Sequence, residues 1–107
     1  MKEKTENYKV TDKYGNIRWY NKDGQLHREG DKPAYIEANG DKGYYINGLL
    51  HREGDKPAYI EADGTKTYYI NNLLHREGDK PAIVYANGNK SYYLNGVFIK
   101  TNFIMKI

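Results

Sequence analysis

The sequence predicts an all-β protein: an elongated antiparallel array of β-hairpin repeats, drawn as a single twisted sheet with terminal caps. Three observations carry that prediction. A period of 24 residues is marked by His27, His51 and His75, by Pro33, Pro57 and Pro81, and by Tyr44, Tyr68 and Tyr92. Short runs rich in β-formers, such as AYIEA and KGYYI, alternate with Asn-Gly or Asp-Gly pairs of the kind that close tight hairpins. The tract LHREGDKPA, starting at Leu26, Leu50 and Leu74, recurs between hairpins with a Gly and a Pro that bend the chain.

The elements follow in order. Residues 1–17 read as an N-terminal cap, residues 18–40, 41–64 and 65–88 as repeats, and residues 89–107 as a partial repeat with a C-terminal cap. The first repeat opens with the longer loop KDG, which suits a type I turn with Gly24 left-handed and sets Tyr20 opposite Leu26 and Trp19 opposite His27. In the second, Asn47-Gly48 sets Tyr45 opposite Leu50 and Tyr44 opposite His51; in the third, Asn71-Asn72 tolerates the positive φ such a turn needs. Reading Asn39-Gly40 as a two-residue turn pairs Ala38 with Asp41, Glu37 with Lys42 and Tyr35 with Tyr44. The same count pairs Glu61 with Lys66 and Tyr59 with Tyr68, each such cross-strand pair being favourable by roughly 0.2–1 kcal/mol.

Alternation then assigns faces. Ala34, Ile36, Ala38, Gly43, Tyr45 and Leu50 form a small, apolar side, and Tyr35, Glu37, Lys42, Tyr44, Ile46, Leu49 and His51 an aromatic, charged one. Gly43, Thr67 and Ser91 share a position that calls for close approach by a ring or backbone. The last unit, YYLNGVFIKTNFIMKI, lacks the tract; Phe98, Ile99, Phe103, Ile104, Met105 and Ile107 are expected to cap the array, the alternative being an anchor for a partner or a second copy.

Composition bounds the function. The 107 residues are only 38% hydrophobic, with mean hydropathy −0.96, yet 12 tyrosines add ring surface and the net charge is only +3, so a folded domain with a thin core is expected. Basic and acidic residues are interspersed, unlike a nucleic-acid-binding arm. With no cysteine, no apolar run of signal-peptide length and none of membrane-span length, a cytoplasmic protein without disulfides is expected, with no membrane partner.

His27, His51 and His75, with Glu29 or Asp31 nearby in sequence, invite a metal reading. Successive units stand two strands apart, roughly 9–10 Å, and zinc bonds of about 2 Å cannot bridge that row, so no metal or other cofactor is expected. Arg28 and Glu29, Arg52 and Glu53, and Arg76 and Glu77, with Asp31, Asp55 and Asp79, recur as three equal sets. Acid–base catalysis wants one shielded cleft, not three copies on an open surface, so no enzyme is expected. The His, Arg and Glu positions read instead as structural junctions, with Glu and Arg of adjacent units paired and a carboxylate capping the turn. Tyr35, Tyr44, Tyr59, Tyr68 and Tyr92, beside Lys42, Lys66 and Lys90, read as the partner-binding surface, suited to another protein. The alternatives are single-stranded nucleic acid or nucleoprotein, which Glu37 and Glu61 oppose, and a purely structural or oligomeric scaffold.

The ordering YYINGLLHREGDKPAYIEADG resembles the MORN repeat, in which an aromatic residue, an Asx-Gly turn, a His/Gly-containing tract and an alternating strand ending in Asx-Gly follow one another. The likeness runs from about Tyr14 to Val97 and is nearest to MORN-variant repeats of bacterial antitoxin-like proteins and of phage and large-virus proteins. It implies a hairpin array used for binding or scaffolding, with no catalytic residue to carry over. It also implies a toxin or host defence protein as partner, the chain acting as antitoxin or phage-type inhibitor. The standard Gly-x-Gly spacing is absent after His27, His51 and His75, so a lipid-binding role does not transfer.

Overall fold

A computed structural model describes residues 6–104. Thirteen strands and no helix form there: β1 (Tyr8–Thr11), β2 (Ile17–Tyr20), β3 (Tyr35–Ile36), β4 (Lys42–Gly43), β5 (Tyr45–Ile46), β6 (Leu49–Leu50), β7 (Tyr59–Ile60), β8 (Lys66–Thr67), β9 (Tyr69–Ile70), β10 (Leu73–Leu74), β11 (Ile83–Val84), β12 (Lys90–Leu94) and β13 (Val97–Asn102). Nine of them make one open antiparallel sheet in the order β1-β2-β3-β4-β7-β8-β11-β12-β13. The array is elongated, 62 × 28 × 19 Å. The all-β hairpin array is thus the fold, but the single sheet is not the whole of it. β5–β6 and β9–β10 leave the sheet as separate two-stranded hairpins.

Those hairpins stack on one another through the backbone. The amides of Gly48, Asn72 and Gly96 donate to the carbonyls of Leu26, Leu50 and Leu74, each at 2.8 Å, so every turn rests on the preceding unit. Asn47 and Gly48, at φ 47° and 83°, make the expected two-residue turn, which pairs Tyr45 with Leu50 and Ile46 with Leu49. Asn71 and Asn72 adopt the same geometry at φ 47° and 68°. Gly24 is left-handed, and Tyr20 bridges Leu26 as the longer first loop requires.

The other set of turns departs from expectation. The amide of Glu37 donates to Asp41 and that of Gly40 to Glu37, so the loop is the three residues Ala38, Asn39 and Gly40. Gly40 alone has positive φ, and the Asn39 carboxamide accepts the amide of Asp41, which stabilises a type I turn with a bulge glycine. Tyr35 therefore pairs with Gly43 and Ile36 with Lys42, not Tyr35 with Tyr44; likewise Tyr59 pairs with Thr67 and Ile60 with Lys66, not Tyr59 with Tyr68. A one-residue slip exchanges faces. Tyr35 and Tyr59 share the Gly43 side, and Lys42, Lys66 and Lys90 stand in the rank of Ile36, Ile60 and Val84.

The close approach expected at Gly43 is present: a Cβ there would lie 2.8 Å from Tyr45 Cε1 and 3.1 Å from Tyr59 Cδ2. Among the described residues the fully buried apolar side chains are Ala34, Ala58 and Ala82, one behind each Pro. Their carbonyls accept the amides of Trp19, Tyr44 and Tyr68 at 2.7–2.8 Å, at the point where the chain passes from sheet to hairpin. The next turn is tied down by a side chain from the unit before it: Ala38, Ala62 and Ala86 amides donate to Asn16, Asp41 and Thr65, and the Ile104 amide to Asn89. Ile104 also covers Gly88. Phe98 and Phe103 are nonetheless more than half exposed, so the apolar tail covers only part of the array's end; Met105 and Ile107 lie outside the described residues.

Candidate functional site

Each HREGDKPA tract bends at a left-handed Gly-Asp pair, Gly30-Asp31, Gly54-Asp55 and Gly78-Asp79. That turn carries the aspartate towards the following unit. Asp31 accepts Arg52 Nε at 2.8 Å and Lys56 Nζ at 2.9 Å, and Asp55 receives Arg76 and Lys80 at the same distances. The unit-to-unit pair is Arg with Asp, a correction to the expected Arg–Glu pairing, because Glu53 and Glu77 turn instead to the histidine of their own unit, at 2.7 and 2.8 Å. Glu29 stands at 3.5 Å from His27.

The histidines join units by their other nitrogen. Nδ1 of His27, His51 and His75 accepts the amides of Asn47, Asn71 and Asn95 at 2.8–3.0 Å, so Nδ1 is unprotonated and the ring proton sits on Nε2, facing the glutamate. Long-range 1H–15N correlation spectra at neutral pH are expected to show the Nε2–H tautomer for all three; an Nδ1–H ring would contradict the junction geometry.

Arg52 and Arg76 are held on three sides, and Arg28 on two. Nη1 of Arg28, Arg52 and Arg76 donates to the carbonyls of Pro33, Pro57 and Pro81, each at 3.1 Å. Each guanidinium lies on a ring of its own unit: Arg28 on Trp19 at 3.7 Å, Arg52 on Tyr44 at 3.7 Å and Arg76 on Tyr68 at 3.9 Å. Lys100 takes the fourth place, 4.7 Å from Tyr92. Sequence alternation could not reveal these stacks. They place Tyr44, Tyr68 and Tyr92 against cations of this chain, while Tyr35, 5.0 Å from Arg18, and Tyr59 stand in the row of Gly43 and Thr67, one residue out of step with Lys42 and Lys66, so the five tyrosines do not form one surface with Lys42, Lys66 and Lys90. Burial, and then Asp41, which accepts its hydroxyl at 3.2 Å, hold the Tyr59 phenol well above its usual range. Burial likewise raises Tyr45 and Tyr69.

Hydrogen bonds from Arg52 and Arg76, and then from Lys56 and Lys80, hold the Asp31 and Asp55 carboxyls down at about 2, against an ordinary 3.8. The native state therefore favours the ionised form, and the stability this contributes is complete above pH ~4 and lost as the pH falls towards ~2. Thermal melts are expected to fall across that window, and the pair Asp31→Asn with Asp55→Asn to flatten the fall while lowering the melt at pH 7. An unchanged acid profile in that variant would contradict the assignment.

Between successive tracts lie two matching grooves of about 350–370 Å³. One runs between Arg52 and Arg76 over Tyr69 and Ile70, the other between Arg28 and Arg52 over Tyr45 and Ile46. Beside them is a feature that sequence alternation missed. Ile46 pairs directly with Leu49, Ile70 with Leu73, and Leu94 with Val97, so each hairpin presents two aliphatic side chains on one side. Relative exposures are 36% for Ile46, 40% for Leu49, 47% for Leu73, 43% for Leu94 and 66% for Val97, with Ile70 half-buried. Leu73 reaches across to Gly96, lying 3.2 Å from where a Cβ there would stand, so the second and third hairpins meet there, and the bond from the Asn72 amide to Leu50 sets the first beside the second in one strip. The recurrence of an aliphatic residue on either side of Asn47-Gly48, Asn71-Asn72 and Asn95-Gly96 is the signal in the sequence.

Comparison with known proteins returned no matching family model, no matching curated protein and no matching solved structure. The site therefore stands on its geometry. Every resolved carboxylate shift is downward and every tyrosine shift upward, away from the neutral range in which general acids and bases operate.

Proposed function

We propose that the chain is a non-enzymatic protein-binding module that docks its partner on the aliphatic strip of the stacked hairpins. The row of exposed Ile46, Leu49, Leu73, Leu94 and Val97 with half-buried Ile70 carries this reading: aliphatic side chains held in register along the array, with charged grooves at their border, match the apolar centre and polar rim of protein interfaces. The histidines and arginines of the tracts, with Asp31 and Asp55, are engaged in junction contacts, and the shifts of Asp31 and Asp55 run away from acid–base use. In the terms of the MORN resemblance, the partner is a toxin or a host defence protein and the chain its antitoxin or phage-type inhibitor, acting in the cytoplasm of the producing or infected cell.

The test is affinity capture with the chain as bait, with and without nuclease, comparing the wild type with Ile70→Glu plus Leu73→Glu. The paired variant is expected to lose a nuclease-resistant protein partner at least tenfold while its melting temperature changes little, since both positions are partly open to solvent. Retained capture by that variant sinks the strip assignment. Recovery that depends on nucleic acid and is lost with Lys42, Lys66 and Lys90 replaced would favour the nucleic-acid reading instead.

A further inference from the structure

Repetition within one chain shows the same cationic clamp three times, and twice its ligand is visible. Arg52 and Lys56 hold the two oxygens of Asp31, and Arg76 and Lys80 those of Asp55. Arg28 and Lys32 are the corresponding donors of the first unit. Arg28 is set in the same manner, with Nη1 on the Pro33 carbonyl at 3.1 Å, its guanidinium 3.7 Å from the Trp19 ring and its backbone amide on Tyr45 at 3.2 Å. No carboxylate among the described residues forms an ion pair with either side chain. Glu6 aligns with Asp31 when Gly15 is set on Gly40, but β1 runs straight along β2, with Tyr8 opposite Tyr20, where later units enter from a bent tract. Glu6 is exposed.

We propose that Arg28 and Lys32 form a carboxylate clamp that takes an aspartate or glutamate side chain of the protein partner, anchoring the rim of the same interface. This rests on the protein-binding reading and adds the chemistry that the partner must present. The fixed Arg fork gives bidentate geometry and Lys a second charge, the combination that already selects a carboxylate at Asp31 and Asp55. Asp79, at the other end of the ladder, has no ion pair among the described residues, which raises a second copy as donor. Topology disfavours it. With nine strands alternating in direction, β1 and β13 run the same way, so a head-to-tail copy would have to join the sheet in parallel, beyond a β1 that already holds the preceding position.

The test is a titration of the full chain, following arginine Nε–H resonances, with an acetylated and amidated hexa-aspartate peptide and, separately, inorganic phosphate. Arg28 is expected to shift saturably with the peptide, at least fivefold more than Arg52 or Arg76, and more tightly than with phosphate. Arg28→Lys and Lys32→Gln should each weaken peptide binding at least fivefold, with unmoved Arg52 and Arg76 signals reporting an intact array. Equal shifts at all three arginines, no shift at Arg28, or phosphate binding as tight as peptide overturns the clamp. A concentration-dependent Arg28 shift without peptide, removed by Asp79→Asn, assigns the clamp to a second copy and overturns its assignment to a partner. The titration needs no partner, so its failure is separable from failure of strip-dependent capture.

Discussion

Arg76→Ala is expected to cost about 2–3 kcal/mol, a drop in melting temperature of roughly 10–20 °C for a domain near 100 residues. The guanidinium closes three contacts at once: the Pro81 carbonyl at 3.1 Å, the Tyr68 face at 3.9 Å and Asp55 of the preceding unit at 2.8 Å. Hydrogen bonds made by charged groups contribute about 1.5–3 kcal/mol and a cation over a ring about 0.5–2 kcal/mol. Asp55 is 44% exposed, so its share is discounted for solvent screening. Arg76→Lys should recover only part, because an ammonium cannot stack on Tyr68 and reach both acceptors. Arg28→Ala should cost less than Arg76→Ala, since Arg28 has the carbonyl and the ring without the inter-unit aspartate. Chemical denaturation of the series checks the order; a loss below 0.5 kcal/mol at Arg76, on the scale of an ordinary surface change, would contradict the role of the tract as a junction.

Ala58→Leu is the second large effect, about 3 kcal/mol of destabilisation. Ala58 is fully buried, its amide donates to Thr67 at 2.9 Å and its carbonyl accepts Tyr44 at 2.7 Å, so backbone is fixed on both sides of the side chain. Added carbons have no space without moving a strand, and overpacking of this kind costs typically 1–3 kcal/mol and sometimes more. Here the strain falls where the sheet hands the chain to the hairpin, in an array whose buried apolar side chains, among the described residues, are alanines. Ala62→Leu, at an exposed turn, should stay within about 0.5 kcal/mol. Equal tolerance at Ala58 and Ala62 would show that the alanine row is not the core.

The period and the Asn-Gly pairs made the fold legible, because short-range chemistry decides hairpins. Asn47-Gly48 and Gly24 carried their registers unaided, fixed by which residues can take positive φ. Asn39-Gly40 looked identical in sequence yet closes a three-residue loop, in which the asparagine caps the turn with its side chain and only the glycine is left-handed. Two turn types share one dipeptide, and the dipeptide alone does not choose between them. That single slip separated Tyr35 and Tyr59 from Lys42, Lys66 and Lys90. The site was harder still to read. Alternation assumes a continuous sheet, and here the chain leaves the sheet after Gly43 and Thr67, so Tyr44 and Tyr68 came to lie under Arg52 and Arg76 while Ile46, Leu49 and Leu73 came to face outwards.

The central claim is a division of labour, in which the tracts hold the array and the hairpin strip binds. Hydrogen–deuterium exchange on the chain alone and in complex with its captured protein partner tests it most directly. The account predicts new protection at 45–50, 69–74 and 93–98, the three stacked hairpins. Protection confined to the sheet rows around Tyr35, Lys42, Tyr59 and Lys66, with those hairpins unchanged, would contradict it.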